Sequence, residues 1–135
     1  MDEATARFVR ERAGFRCEYC LLPERHVRLP FEIEHVVARQ HGGTDALGNL
    51  AFACLHCNKR KGPNLTGLDR VAARAKIVRL FHPRHHSWGY HFSLLGPRIV
   101  GRTAIGRVTV DVLAMNEPLL VLLREELIEE GLFPG

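Results

Sequence analysis

The 135-residue chain has no apolar run approaching the roughly 18 residues that a membrane span needs. Its first residues, Met1-Asp2-Glu3, are acidic and lack the apolar stretch of a secretory leader. There is no internal repeat, no low-complexity tract and no stretch that reads as a linker. Membrane and secreted classes therefore fit poorly, and a cytoplasmic location is expected. With 46% hydrophobic and 25% charged residues the composition is that of an ordinary globular protein, which excludes wholesale disorder. The length suits a single domain over residues 1–135 with one modest core.

Cysteine is scarce but ordered. The four residues fall into two pairs, Cys17-x-x-Cys20 and Cys54-x-x-Cys57. Two such knuckles a few tens of residues apart let four thiolates close on one tetrahedral Zn²⁺. Paired disulfides are the alternative, disfavoured without an export signal. A redox site would need one pair in a thioredoxin-like βαβ setting, which is missing. Four sulfur ligands make a closed shell, so the expected zinc is structural and performs no chemistry.

Residues 2–13, with Ala4, Phe8 and Val9 among charges, read as an amphipathic helix stopped by Gly14. Segments 31–35 and 49–53 read as strands joined by a loop containing Gly42-Gly43, and 58–61 as a short helix ended by Gly62-Pro63. From 69 to 80 the apolar residues Val71, Ala72, Ala75 and Val78 recur at helical spacing, with Asp69 as N-cap. Strands are expected at 88–94, where Trp88, Tyr90 and Phe92 alternate, and at 98–101. Helices are expected at about 103–115 and 117–130. Charge is uneven: residues 65–115 hold eight Arg and Lys against Asp69 and Asp111, whereas the last twenty residues hold five Glu against Arg124. Such asymmetry suits a face turned to a polyanion, though a solvated helix face accounts for it equally well.

Between the knuckles lie Glu32-Ile33-Glu34-His35, then Gly42-Gly43 and Gly48-Asn49-Leu50; Asn58-Lys59-Arg60-Lys61-Gly62 follows the second knuckle. This ordered set, over roughly residues 16–63, resembles the HNH endonucleases, the zinc-braced branch of the ββα-metal nucleases. The resemblance implies an α+β fold, with a small ββα-metal core over about 14–64 braced by Cys17, Cys20, Cys54 and Cys57. A C-terminal extension of helices and short strands would follow over about 65–135. It implies a metal-dependent DNA endonuclease in which His35 is the general base and Glu34 and Asn58 hold a Mg²⁺ or Mn²⁺ ion. Asn49 completes the catalytic set as the residue that ties the loop and orients His35. These types suit the chemistry: an imidazole titrating near neutrality can take a proton from water, and hard oxygen donors suit a hard cation beside phosphate. Adjacent strand residues point to opposite faces, so Glu34 and His35 could share a metal only where the strand end is distorted.

Arg16, Lys59, Arg60 and Lys61 are candidates for contacts with the phosphates of double-stranded DNA. Glu32 reads as a solvated strand residue, His41 as a loop residue and His56 as free of any ligand role. The run His82-Pro83-Arg84-His85-His86 reads as a basic loop. Apolar stripes on the last two helices cover the core or form a homodimer contact. The competing reading of the chain is a zinc-knuckle module that binds nucleic acid without cutting it.

Overall fold

The computed structural model describes residues 1–71 and 73–135. Helix α1 (Glu3–Arg12) begins where the Asp2 side chain accepts the Thr5 N–H at 2.7 Å. It ends before Gly14, whose φ of +65° takes the left-handed turn that glycine makes without strain. Its buried Val9 packs on Leu50 and Phe52, laying the helix across the sheet that follows. That sheet is antiparallel: β1 (Phe31–His35) pairs with β2 (Leu50–Cys54), from Phe31 opposite Cys54 to His35 opposite Leu50. Helix α2 (Leu55–Lys61) starts directly after β2 and closes at Gly62. The result is a ββα unit over the stretch richest in sequence punctuation.

The loop from β1 to β2 is pulled tight on itself. A Cβ at Gly43 would lie 1.7 Å from the Val37 carbonyl oxygen, so only glycine fits there. Asn49 closes the loop's far end, accepting the Val37 N–H at 2.8 Å and donating to the Val37 and Thr44 carbonyls at 3.0 and 2.8 Å.

The expected helix at 69–80 does not form. The segment is an antiparallel hairpin of β3 (Thr66–Asp69) and β4 (Lys76–Arg79). A helix of that length is marginal alone and needs a buried stripe, yet Val71 is 73% exposed. Asp69, expected as an N-cap, is buried and paired with Arg107 at 2.8 Å. Ala72 lies outside the described residues. The expected strand at 88–94 is also corrected: α3 (Trp88–His91) is a single helical turn, and β5 (Phe92–Leu95) begins after it, pairing with β6 (Arg98–Gly101). Tyr90 is exposed and Phe92 buried, so the alternating aromatics share no face. The turn instead aims the Trp88 indole at the Tyr19 carbonyl, 2.8 Å away in the first knuckle.

Helices α4 (Ala104–Val112) and α5 (Pro118–Glu129) complete the chain, capped by Thr103 and Glu117. The architecture is α+β, with short antiparallel strand pairs and helices. The principal buried cluster joins Cys17, Cys20, Cys54 and Cys57 to Phe81, Phe92, Leu113, Leu120 and Phe133. The extension is thus packed directly on the knuckles, and Arg84, paired with Glu18, fastens it again.

Candidate functional site

The two knuckles converge. All four cysteines are buried, and their sulfurs lie within 4.8 Å of one another. A Zn–S bond of about 2.3 Å makes each edge of a tetrahedron about 3.8 Å, and Cys20 Sγ stands 3.7 Å from Cys54 Sγ. Backbone N–H groups of Cys20 and Cys57 each point at the first sulfur of their own knuckle at 3.4 Å. Hydrogen bonds from Cys17, Cys20 and Cys57 lower the Cys54 thiol, whereas Cys20 and Cys57 are pushed up, first by their bonds to Cys17. The donor set, four sulfurs and no oxygen, is positioned for a structural zinc ion. Among the described residues no other cluster of three or more His, Cys, Asp or Glu has this spacing.

Near this cluster lies Arg124, fully buried. It donates to the Pro97 carbonyl at 2.6 Å, the Met115 carbonyl at 2.7 Å and Asn116 Oδ1 at 3.2 Å, and its Nη1 has no partner. Burial lowers this guanidinium, and the cysteine thiols pull it back up.

Elsewhere on the ββα unit, β1 carries Glu34 and His35 to an open cavity of about 360 Å³, which Asn58 on α2 also lines, together with Arg39 and Gln40. The ladder stays regular through His35 opposite Leu50, so the strand-end distortion expected from the resemblance is not seen in the pairing. The two side chains differ in setting instead. Glu34 is 4% exposed, whereas the His35 side chain keeps 21% of its exposure. Glu34 Oε1 accepts the Tyr19 hydroxyl, and Oε2 faces Lys61 Nζ at 3.2 Å. Lys61 also donates to the Val36 carbonyl at 2.8 Å and the His35 carbonyl at 3.4 Å. Burial raises the Glu34 carboxyl above its ordinary range, while Lys61 and Tyr19 oppose the rise. Tyr19 is itself pushed well up by burial and by Glu34.

His35 is held by a residue that sequence reasoning missed. Its Nε2 lies 2.7 Å from Asp45 Oδ1, to which Arg39 also donates at 2.7 Å. The bond from His35 and the charge of Arg39 keep Asp45 below the usual carboxylate range. An ionised carboxylate only accepts, so Nε2 is the donor of this pair, and in the neutral imidazole the free lone pair is on Nδ1. An acid ten residues after the histidine, in the same glycine-containing loop, was the available signal. Asn49 sits at the base of that loop and lies outside the cavity lining.

The basic candidates scatter. Lys61 is corrected: at 1% exposure its ammonium faces Glu34 and backbone carbonyls, so it is no surface contact for phosphate. Lys59 and Arg60 are exposed on another side of α2, lining a separate cavity with His56 and Glu117. Arg16 donates to the Pro134 carbonyl at 2.8 Å and lines a larger cavity of about 880 Å³ that includes none of the motif residues. His56 bridges to the Leu113 and Ala114 carbonyls, and Glu32 and His41 are exposed. In the 82–86 loop, His82 Nδ1 accepts the Arg84 N–H and His86 Nδ1 accepts the His82 N–H, so these rings close the turn on itself.

Four cysteines positioned for zinc thus stand beside a ββα unit whose open cavity is lined by a carboxylate, an imidazole and an amide. Residues 17–64 match the family model for HNH endonucleases. Compared with curated proteins and with solved structures, the chain finds no match.

Proposed function

We propose that the protein is a metal-dependent DNA endonuclease whose single site is the cavity bounded by Glu34, His35 and Asn58. The observation that carries this reading is that His35, whose Nε2 stands 2.7 Å from Asp45 Oδ1, lines one cavity with the oxygen-bearing side chains of Glu34 and Asn58. His35 Nδ1 takes a proton from the attacking water, and Asp45 steadies the imidazolium that results, with Arg39 fixing Asp45. Glu34 and Asn58 would hold the divalent ion, Mg²⁺ or Mn²⁺, which offsets charge developing on the phosphate and the leaving oxygen. A carboxylate has about four acceptor positions; Tyr19 and Lys61 take two, leaving Glu34 the remainder for a cation. Asn49 keeps the 37–44 loop closed and so holds Asp45 within reach of His35. Cleavage by this route leaves 5′-phosphate and 3′-hydroxyl ends.

The test is nicking of supercoiled plasmid by zinc-loaded protein with Mg²⁺, with Mn²⁺ or with neither. Conversion to nicked circles that needs the added ion and is abolished by His35→Ala, at unchanged melting temperature, is the expected result. Undiminished nicking by His35→Ala would refute the assignment, and DNA binding without nicking under any ion would favour the non-cutting module.

A further inference from the structure

We propose that the β3–β4 ribbon is a DNA-gripping arm that lies in a duplex groove beside the cleavage site; this rests on the reading that the chain acts on DNA. The ribbon has two unlike faces. Opposed residues of an antiparallel pair share a face, so Gly67, Val78, Asp69 and Lys76 lie on one side, and Thr66, Leu68, Ile77 and Arg79 on the other. The first side is anchored to α4. A Cβ at Gly67 would meet Val112 Cγ2 at 2.8 Å, and Asp69 pairs with Arg107 at 2.8 Å. The second side is open, with Ile77 76% exposed and its cross-strand partner Leu68 43% exposed.

An exposed apolar pair calls for a partner, and charge selects which one. Arg79 lies on the open side and Arg70 and Arg74 on the connecting loop, all exposed, and among the described residues none of them pairs with an acid. The one acid there, Asp69, is neutralised by Arg107. Two copies meeting through this face would bring cations against cations in both directions. A phosphate backbone offers the opposite sign, and the major groove accepts a two-stranded ribbon whose methyl groups can meet thymine methyls. Position agrees with this occupant. Thr66 and Arg79, at the foot of the arm, line a cavity with Val36 and Val37, the residues that directly follow His35. Cations on the arm would therefore meet phosphates a short way along the strand from the bond facing His35.

The experiment measures binding of the zinc-loaded full chain to a short DNA duplex in the absence of added Mg²⁺, across a salt series, alongside plasmid nicking. Arg70→Gln/Arg74→Gln/Arg79→Gln alters exposed side chains outside the catalytic cavity. It should make the slope of log K against log salt shallower by about 2–3, at roughly 0.9 for each phosphate no longer neutralised. It should also raise the DNA concentration for half-maximal nicking without changing the rate at saturation. Ile77→Thr, which keeps a β-branched residue on the strand, should weaken binding several-fold and leave the salt slope as it was. An unchanged slope and affinity in the triple variant, or no duplex binding by the parent, would overturn the arm. A parent dimer broken by Ile77→Thr with DNA binding intact would overturn it in favour of a chain–chain interface. Parent protein that binds with the expected salt slope but never nicks would support the arm while removing the nuclease reading.

Discussion

Replacing Lys61 by methionine removes an ammonium that is 1% exposed and keeps most of its apolar stem. The ion pair with Glu34 at 3.2 Å and the hydrogen bond to the Val36 carbonyl at 2.8 Å both disappear. With an effective dielectric of about 20, two unit charges at the 3.2 Å separation attract by about 5 kcal/mol. The measured cost of breaking buried pairs is about 3–5 kcal/mol, because the surviving charge is stranded. Glu34 is then left 4% exposed with only the Tyr19 hydroxyl, and it escapes by taking a proton. Burial already holds this carboxyl above its ordinary value, so between its unfolded and folded values the folded state binds more protons and stability declines as pH rises. Without Lys61 that interval extends upward, so the deficit widens from weakly acidic to neutral pH. Urea unfolding at fixed free zinc should show Lys61→Met about 3–5 kcal/mol less stable at neutral pH. Adding Glu34→Gln should recover much of this, since the amide oxygen still accepts from Tyr19 and no charge is stranded. A deficit below about 1 kcal/mol, or a double variant as unstable as the sum of the two single effects, would refute the reasoning.

Two other outcomes follow from the same geometry. Asp45→Asn removes the negative charge beside His35 Nε2 and lets an amide NH2 turn toward the ring, so nicking should fall about ten- to a hundredfold with a shifted pH profile, at little change in stability; an unaltered rate and profile would separate Asp45 from the chemistry. Burial lowers His82 to about 4, so stability should fall as pH drops from the ordinary histidine value near 6.5 toward 4. In His82→Asn, whose amide oxygen can replace Nδ1 at the Arg84 N–H, urea midpoints should lose part of that slope, and identical slopes would contradict it.

The parts legible beforehand were those whose constraint is local in sequence. The x-x spacing within each knuckle decides which four sulfurs can meet. The 31–35 strand emerged with the expected bounds and its partner one residue late, because apolar residues and turn glycines mark both. Gly62 closes α2 and Asn49 ties its loop as the motif implied. The misread segments, 69–80 and 88–94, are those in which a distant residue overrides the local pattern: α4 takes Asp69 and Gly67, and Tyr19 takes the Trp88 indole.

Sequence order alone thus determined the four-cysteine centre and the bounds of β1, and the motif's resemblance added the ββα unit and three residues that line its cavity, Glu34, His35 and Asn58, since these rest on spacing within a turn, a strand or a tight loop. Only the tertiary structure decided that Lys61 belongs to Glu34 rather than to phosphate, that Asp45 holds His35, and that a basic helical-looking stretch is a ribbon. Those outcomes depend on which charges are buried together and on which backbone groups a neighbouring element satisfies. Both are set by packing between segments far apart in the chain.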